Sequence, residues 1–460
     1  MLKKTLALFI TMVFSVCCFT ACGDNAEGKE GKTWEKEEVY KYTFNNVGEN
    51  DFVVGAFSGP NGAQSVNGIN YPSIINDSSF SALKEAGVNT VFGIENWVVG
   101  DTTKIEQTLE LTDKYNLNYV VYDTSVIYMA GTPPYVADSK EAIKERLELY
   151  DVYDSFAGFY SKDEPNISYY ADMRKAEDLV ESLYPEGDKI CYSNLLPMFE
   201  NNWVYTEDTE NLIEYDEYVR RYMEEVQPKY VSFDWYPFGR TAGTIYGYWF
   251  ESLATIRKYA NKAGVPFWVC IQAGGLWENE INRLPSETEF NWNINSALCF
   301  GAKGITYFPG VHSFYHVDNE NGNEGLLDLN GEKTRYWYYA NTISKHLNAI
   351  DDVLTNCASL GIMQSGSIPK KISNKDIEIF DNFRELESIS GDLIVGCFDY
   401  NGKTALYVMN ANLSDSTTAV MNFDDRYGYN VIKEGEESQM KGKKLEIKLD
   451  GGEGVLITLK

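Results

Sequence analysis

Eight short apolar runs recur about every 30 to 40 residues, at 51–57, 89–94, 118–122, 156–160, 189–193, 229–233, 266–271 and 304–308. Helical patterns fill the gaps: 78–86, 104–115, 140–150, 169–183, 215–226, 250–263 and 286–300. Three of these end at a glycine, Gly87, Gly264 and Gly301, as helix C-termini commonly do. The runs are apolar throughout and do not alternate. Strands of that kind are buried on both faces, which is the condition of a parallel sheet covered by helices. Eight strand–helix units over about 300 residues predict a closed (β/α)8 barrel at 49–350. An open doubly wound sheet is the runner-up, but no glycine-rich phosphate loop follows any run.

The pattern changes after the barrel. A helix at 336–354 closes it, and short alternating runs follow at 393–398, 404–409, 418–422, 444–449 and 454–459. Turn signals (Asn401-Gly402 and Asp450-Gly451-Gly452) separate two pairs of them. Residues 351–460 therefore read as a small antiparallel β-sandwich.

The N-terminus reads as a targeting segment at 1–21. Lys3 and Lys4 precede an apolar stretch at 6–19, which is short for a membrane span. Phe19-Thr20-Ala21-Cys22 resembles a bacterial lipoprotein cleavage site, which makes Cys22 the expected lipidated residue. The polar stretch 22–48 reads as a flexible tether. The expected location is extracytoplasmic, with the lipid as the contact to the membrane.

A net charge of −28 excludes nucleic acid or an anionic membrane as a partner held through a basic surface. Five cysteines lie beyond the signal (Cys191, Cys270, Cys299, Cys357 and Cys397). They are scattered through apolar runs, and so read as buried free thiols. His312 and His316 fall in a loop opened by Pro309-Gly310, a poor frame for a metal, so no metal or cofactor is expected.

In a barrel of this kind the strand ends on one face carry the chemistry. Strand two ends in Glu95-Asn96-Trp97 and strand three in Asp123. Strand four runs through Tyr160 to Asp163-Glu164-Pro165, and strand five ends in Asn194. Strand six ends in Asp234-Trp235-Tyr236, strand seven in Gln272, and strand eight runs through Tyr307. Carboxyl and amide groups suit a polyhydroxylated ligand, and Trp and Tyr faces suit the C–H side of a sugar. Thirty-three Tyr, 23 Phe and 9 Trp supply such faces in excess. Glycosidic cleavage needs two carboxyl groups flanking the bond. The competing local reading makes Asp163 the cap of the next helix and Glu164 an acid in its first turn.

Asp163-Glu164-Pro165, followed by Asn194-Leu195-Leu196-Pro197, Asp234-Trp235-Tyr236-Pro237-Phe238 and Trp268-Val269-Cys270-Ile271-Gln272, resembles the (β/α)8 glycoside hydrolases, including the family 42 β-galactosidases. The stretch 297–308 completes the likeness, which spans about residues 50–345. The resemblance implies that Glu164 is the acid/base residue. One departure is plain: the clan places a nucleophilic Glu at the end of strand seven, where this chain has Gln272. Three routes remain open. Asp234 is the second carboxylate; or Asp163 orients a substrate acetamido group while Glu164 protonates; or Glu278 or Glu280 enters from the loop after strand seven.

The expected function is an anchored glycoside hydrolase. Glu164 is its acid, Asp234 its base and Asp163 its partner. Glu95, Trp97, Asp123, Tyr160, Asn194, Trp235, Tyr236, Gln272 and Tyr307 are the expected substrate contacts. The alternative is a non-catalytic surface glycan-binding lipoprotein on the same barrel. A two-lobed solute-binding protein shares the anchor but not the eight strands.

Overall fold

The computed structural model describes residues 52–66, 68–93, 102–123, 126, 140–206, 208, 210–239, 241–275, 283–312 and 323–460. Eight parallel strands close a barrel: β1 (Val53–Phe57), β2 (Thr90–Phe92), β3 (Asn118–Val121), β4 (Phe156–Asp163), β5 (Ile190–Leu195), β6 (Val231–Asp234), β7 (Phe267–Gln272) and β8 (Gly304–Phe308). Each pairs with its neighbours in sequence, and β1 completes the ring between β2 and β8. Helices α1 (Asp77–Glu85), α2 (Thr102–Lys114), α3 (Lys140–Tyr150), α4 (Tyr170–Leu183), α5 (Tyr215–Arg221), α6 (Trp249–Ala263), α7 (Glu287–Phe300) and α8 (Arg335–Asn356) follow the strands.

Aromatic side chains fill the inside of the ring. Tyr230 stacks on Trp268 at 4.5 Å, and Tyr192 stacks on Tyr230 at 5.6 Å. Phe57, Phe92 and Tyr160 join them, so the interior is a packed core and not a pore. All five cysteines of the barrel and sandwich are buried and free.

Strand β4 is irregular, and the irregularity shapes the site. Its pairing with β3 slips at Gly158, and its pairing with β5 slips between Tyr160 and Lys162. Gly158 takes φ +127°, and a Cβ there would sit 2.1 Å from the Ile190 carbonyl oxygen. Only glycine fits this bulge. The slips bring Asp163 opposite Asn194 on β5.

The C-terminal part is antiparallel: β9 (Ala358–Ser365), β10 (Leu386–Ser390), β11 (Leu393–Tyr400), β12 (Lys403–Asn410), β13 (Thr417–Lys433), β14 (Glu436–Leu449) and β15 (Gly454–Leu459). The long β13 pairs first with β10 and then with β15, with an irregularity at Asn422–Tyr427 between the two halves. One strand thereby pairs with β10, β14 and β15 within a single seven-stranded sheet. Asn401 and Gly402 turn between β11 and β12 with positive φ, as the sequence indicates.

Helix α7 is buried almost all round because it lies between barrel and sandwich. Trp292 Nε1 donates to the Ala411 carbonyl at 2.8 Å, and Asn295 Nδ2 donates to the Gly452 carbonyl at 2.7 Å. Arg257 of α6 donates to Ser359 from two nitrogens. Among the described residues, no helix is long and apolar enough to cross a membrane.

Candidate active site

The turn after β4 carries the first carboxyls. Glu164 takes the left-handed conformation, φ +41°, which costs a non-glycine residue about 1 kcal/mol or more. Hydrogen bonds hold it there. The Glu164 N–H donates to the Asn194 carbonyl at 2.8 Å. The next carbonyl, of Pro165, accepts from the Tyr218 hydroxyl of α5 at 2.6 Å, and that same hydroxyl accepts from the Leu196 N–H at 3.3 Å. The turn is thus tied to the exit of β5. The following helical turn is capped by Asn166, whose Oδ1 accepts from the Ser168 N–H at 2.9 Å. Asp163 is therefore not the cap: it is the last residue of the strand.

Asn194 links the carboxyls. Its Nδ2 donates to Asp234 Oδ1 at 3.0 Å, and its Oδ1 accepts from the Ser232 hydroxyl at 3.0 Å. Ser232 in turn meets the Tyr192 hydroxyl at 2.9 Å. A hydrogen-bonded chain therefore runs from the barrel core to Asp234.

Three carboxyl groups share this rim with one ammonium group, Lys162, among the influences on them. Burial raises the Asp234 carboxyl to about 7, and the negative charge of Asp163 adds to the rise. The Tyr236 hydroxyl and the Asn194 amide oppose it. Burial also raises Asp163, to about 6, against the Tyr160 hydroxyl, Lys162 and Asn194 that face it. None of these donors reaches Asp163 Oδ1 in hydrogen-bond geometry, and the buried Tyr160 hydroxyl likewise has no partner. Glu164 keeps contact with solvent, yet surrounding protein, then Asp234 and Asp163, push its carboxyl well above the ordinary range. Such a cluster cannot ionise fully at neutral pH, and it releases its protons as a coupled set.

Several expected contacts lie elsewhere. Gln272 is fully buried, and its amide is committed to main chain. Oε1 accepts from the Phe238 N–H at 3.0 Å, and Nε2 donates to the carbonyls of Arg283 at 2.9 Å and Gly274 at 3.2 Å. It braces two loops and has no group left for a substrate hydroxyl. Tyr307 points out of the barrel and stacks on Phe290 of α7 at 5.5 Å. Alternation along β8 turns Phe308 to the rim instead, where it stacks on Tyr236 at 5.4 Å. Asp123 is buried and turned toward α3, where it accepts from Tyr150 at 2.6 Å. Tyr160 has no exposed surface: it is floor beneath the carboxyls and not a stacking face. Asn194 is also buried, with its amide on Asp234 and Ser232.

Glu95, Trp97, Cys22, Glu278, Glu280 and His316 lie outside the described residues. Among the described residues, no group of three His, Cys, Asp or Glu is placed to hold a metal. Tyr218, which clamps the Glu164 turn, is not among the residues that the sequence singles out. Its signal was only a Tyr on a buried helical face.

No protein-family model matches the sequence, and comparison with curated proteins gives no match. Solved structures do match in fold. The chain is similar to a family 42 β-galactosidase from G. stearothermophilus at TM-score 0.51 and 8% identity, covering 92% of this chain and 100% of that one. It is similar to an α-amylase from Geobacillus thermoleovorans at TM-score 0.50 and 10% identity, covering 89% and 98%. A β-galactosidase from the psychrophilic Marinomonas ef1 aligns over 68% of this chain and 63% of its own, at 11% identity and TM-score 0.43. At such identities the likeness is one of fold: this is a barrel architecture on which glycoside hydrolases are built.

Proposed function

We propose that this chain is an extracytoplasmic glycoside hydrolase that cleaves an oligo- or polysaccharide by carboxyl acid/base catalysis. The observation that carries the reading is the gathering of Glu164, Asp163 and Asp234 on one rim, with Glu164 held well above the ordinary carboxyl range by burial and its two neighbours and left open to solvent. A raised carboxyl keeps the proton that a glycosidic oxygen needs.

In this mechanism Glu164 gives its proton to the glycosidic oxygen as the bond to the anomeric carbon breaks. Asp234, ionised and held by Asn194, takes a proton from the water that adds to that carbon. The two proton transfers balance, and exchange with solvent restores both groups. The reaction needs two carboxyls and no cofactor.

A second reading is favoured by the bare Asp163 Oδ1. A substrate acetamido N–H is the kind of donor that atom is missing. Asp163 would then orient the acetamido group as internal nucleophile, with Glu164 again the acid.

The test is hydrolysis of a broad glycan panel by the wild type beside Glu164→Gln. Sugar release by the wild type alone supports the hydrolase. A product with inverted anomeric configuration supports Asp234 with water. Retention confined to 2-acetamido sugars supports the second reading. Glycan binding by both proteins with no release by either would make this a surface glycan-binding lipoprotein.

A further inference from the structure

A cleft of about 550 Å³ lies on the same face, between the loops that leave β5 and β6. Phe199, Trp203, Trp235, Tyr246 and Tyr248 line it, with Glu200 and Asn201 at its polar edge. Two of these rings are freely exposed, Trp203 at 46% and Tyr246 at 54%. Large exposed aromatics in one concavity are uncommon on a surface that has no partner to cover them. Among the described residues, no other ring contacts Trp203.

The cleft is preformed. Trp235 stacks on Tyr246 with 13° between the rings, and its Nε1 donates to the Tyr246 carbonyl at 3.0 Å. Gly247, at φ +68°, passes directly under the indole, where a Cβ would lie 1.8 Å from Cζ2. On the other wall, the Phe199 N–H donates to the Tyr205 hydroxyl at 2.7 Å, and that hydroxyl donates to the Pro197 carbonyl at 2.9 Å. The Met198 N–H donates to Ser252 of α6 at 3.0 Å. Walls fixed this way lose little freedom when a ligand arrives.

We infer that this cleft is an outlying sugar subsite that binds neutral pyranose units of a glycan chain whose cleaved bond lies at the carboxyl rim. The inference rests on the reading above that the chain acts on glycans. Continuity carries it: Trp235 directly follows Asp234 at the end of β6, so cleft and carboxyls share one loop root. Aromatic faces with a polar edge fit the C–H face and hydroxyls of a pyranose. Glu200 at the edge and the net charge of −28 disfavour uronate or sulfated chains. A substrate longer than the rim itself follows, and with it a dependence on chain length.

The test uses the full chain in detergent, carrying Glu164→Gln so that no substrate is consumed. Neutral gluco-, galacto-, manno- and xylo-oligosaccharides of one to six units are titrated by calorimetry, with and without Trp203→Ala. In the parent, affinity should climb with length for one series and perturb tryptophan fluorescence. Trp203→Ala should remove roughly three- to tenfold of that gain, the size of one aromatic contact. Unchanged melting would show that the exposed ring was not needed for folding. Three binding results overturn the inference: affinity that climbs equally in both proteins, no binding by any series, or a dimer that Trp203→Ala dissolves, which would give the cleft to a second copy. Hydrolysis by the wild type without length dependence would sink this inference and leave the hydrolase standing. Length-dependent binding without hydrolysis would do the reverse.

Discussion

Asn194 donates a hydrogen bond from Nδ2 to Asp234 Oδ1 at 3.0 Å, and this bond joins the Tyr236 hydroxyl in opposing the rise that burial imposes on the carboxyl. Replacing the amide by Leu removes one of the donors that hold the Asp234 carboxyl down at about 7. The base would then ionise only at higher pH. For Asn194→Leu, the acidic limb of the kcat/KM profile should move to higher pH, with activity at pH 6 falling roughly 10-fold or more. Full pH–rate profiles of both proteins check this. An unmoved limb would remove Asp234 from the role of base.

The same cluster sets a pH dependence of stability. Asp163 and Asp234 stand at about 6 and about 7 in the folded chain, above their ordinary value of 3.8. Between about pH 4 and pH 7 the folded state therefore binds more protons than the unfolded state. Stability falls as pH rises through that window. Asp234→Asn removes one of the repelling charges, so it should melt a few degrees above the parent at pH 8. At pH 4 the parent's carboxyl is protonated and the two should melt together. Calorimetric melts at both pH values decide it.

Gln272 stands where the hydrolases that the sequence resembles place a nucleophilic Glu, and the substitution Gln272→Glu would supply that residue in name. A carboxylate cannot donate to the Arg283 and Gly274 carbonyls that Nε2 now serves. The account expects a loss of about 2–4 kcal/mol in stability, from two stranded acceptors and a buried charge. It expects no gain in hydrolysis. Denaturant melts and initial rates measure both, and a faster, equally stable variant would show that the site is a dormant member of the usual arrangement.

Cys22 is proposed as the lipidated residue of an anchored protein. Labelled palmitate should enter the full chain expressed in a bacterium and be absent from Cys22→Ala. Equal labelling of both would place the anchor elsewhere, and no labelling of either would favour plain secretion.

Much of the barrel was legible because strands buried on both faces are apolar along their whole length. That made eight runs stand out, and it placed Asp163, Glu164 and Asp234 at one rim. What did not show was direction. Tyr307 and Gln272 sit at strand ends like the acids, but one turns outward to Phe290 and the other is consumed by main chain. Alternation from Cys270 and Phe308, both of which face inward, could have separated Tyr307 but not Gln272. Asp123 shows the same limit: a carboxyl at a strand end can as well hold a helix. In the sandwich, β13 and β14 run further than the apolar pattern suggests, because much of their length is exposed and polar. Trp203 and Tyr246 went unremarked because loops carry no periodicity to organise their aromatics.

The central claim is that Glu164 is the proton donor, and the leaving group tests it most directly. Once the active glycan series is known, aryl glycosides of that sugar can be made with nitrophenyl leaving groups of graded acidity. A leaving group that needs no proton should be nearly indifferent to the acid. The account predicts that Glu164→Gln loses roughly 100-fold or more in kcat/KM on the least acidic phenol, and little on the dinitrophenol. An equal loss across the whole series, or no loss at all, would contradict it.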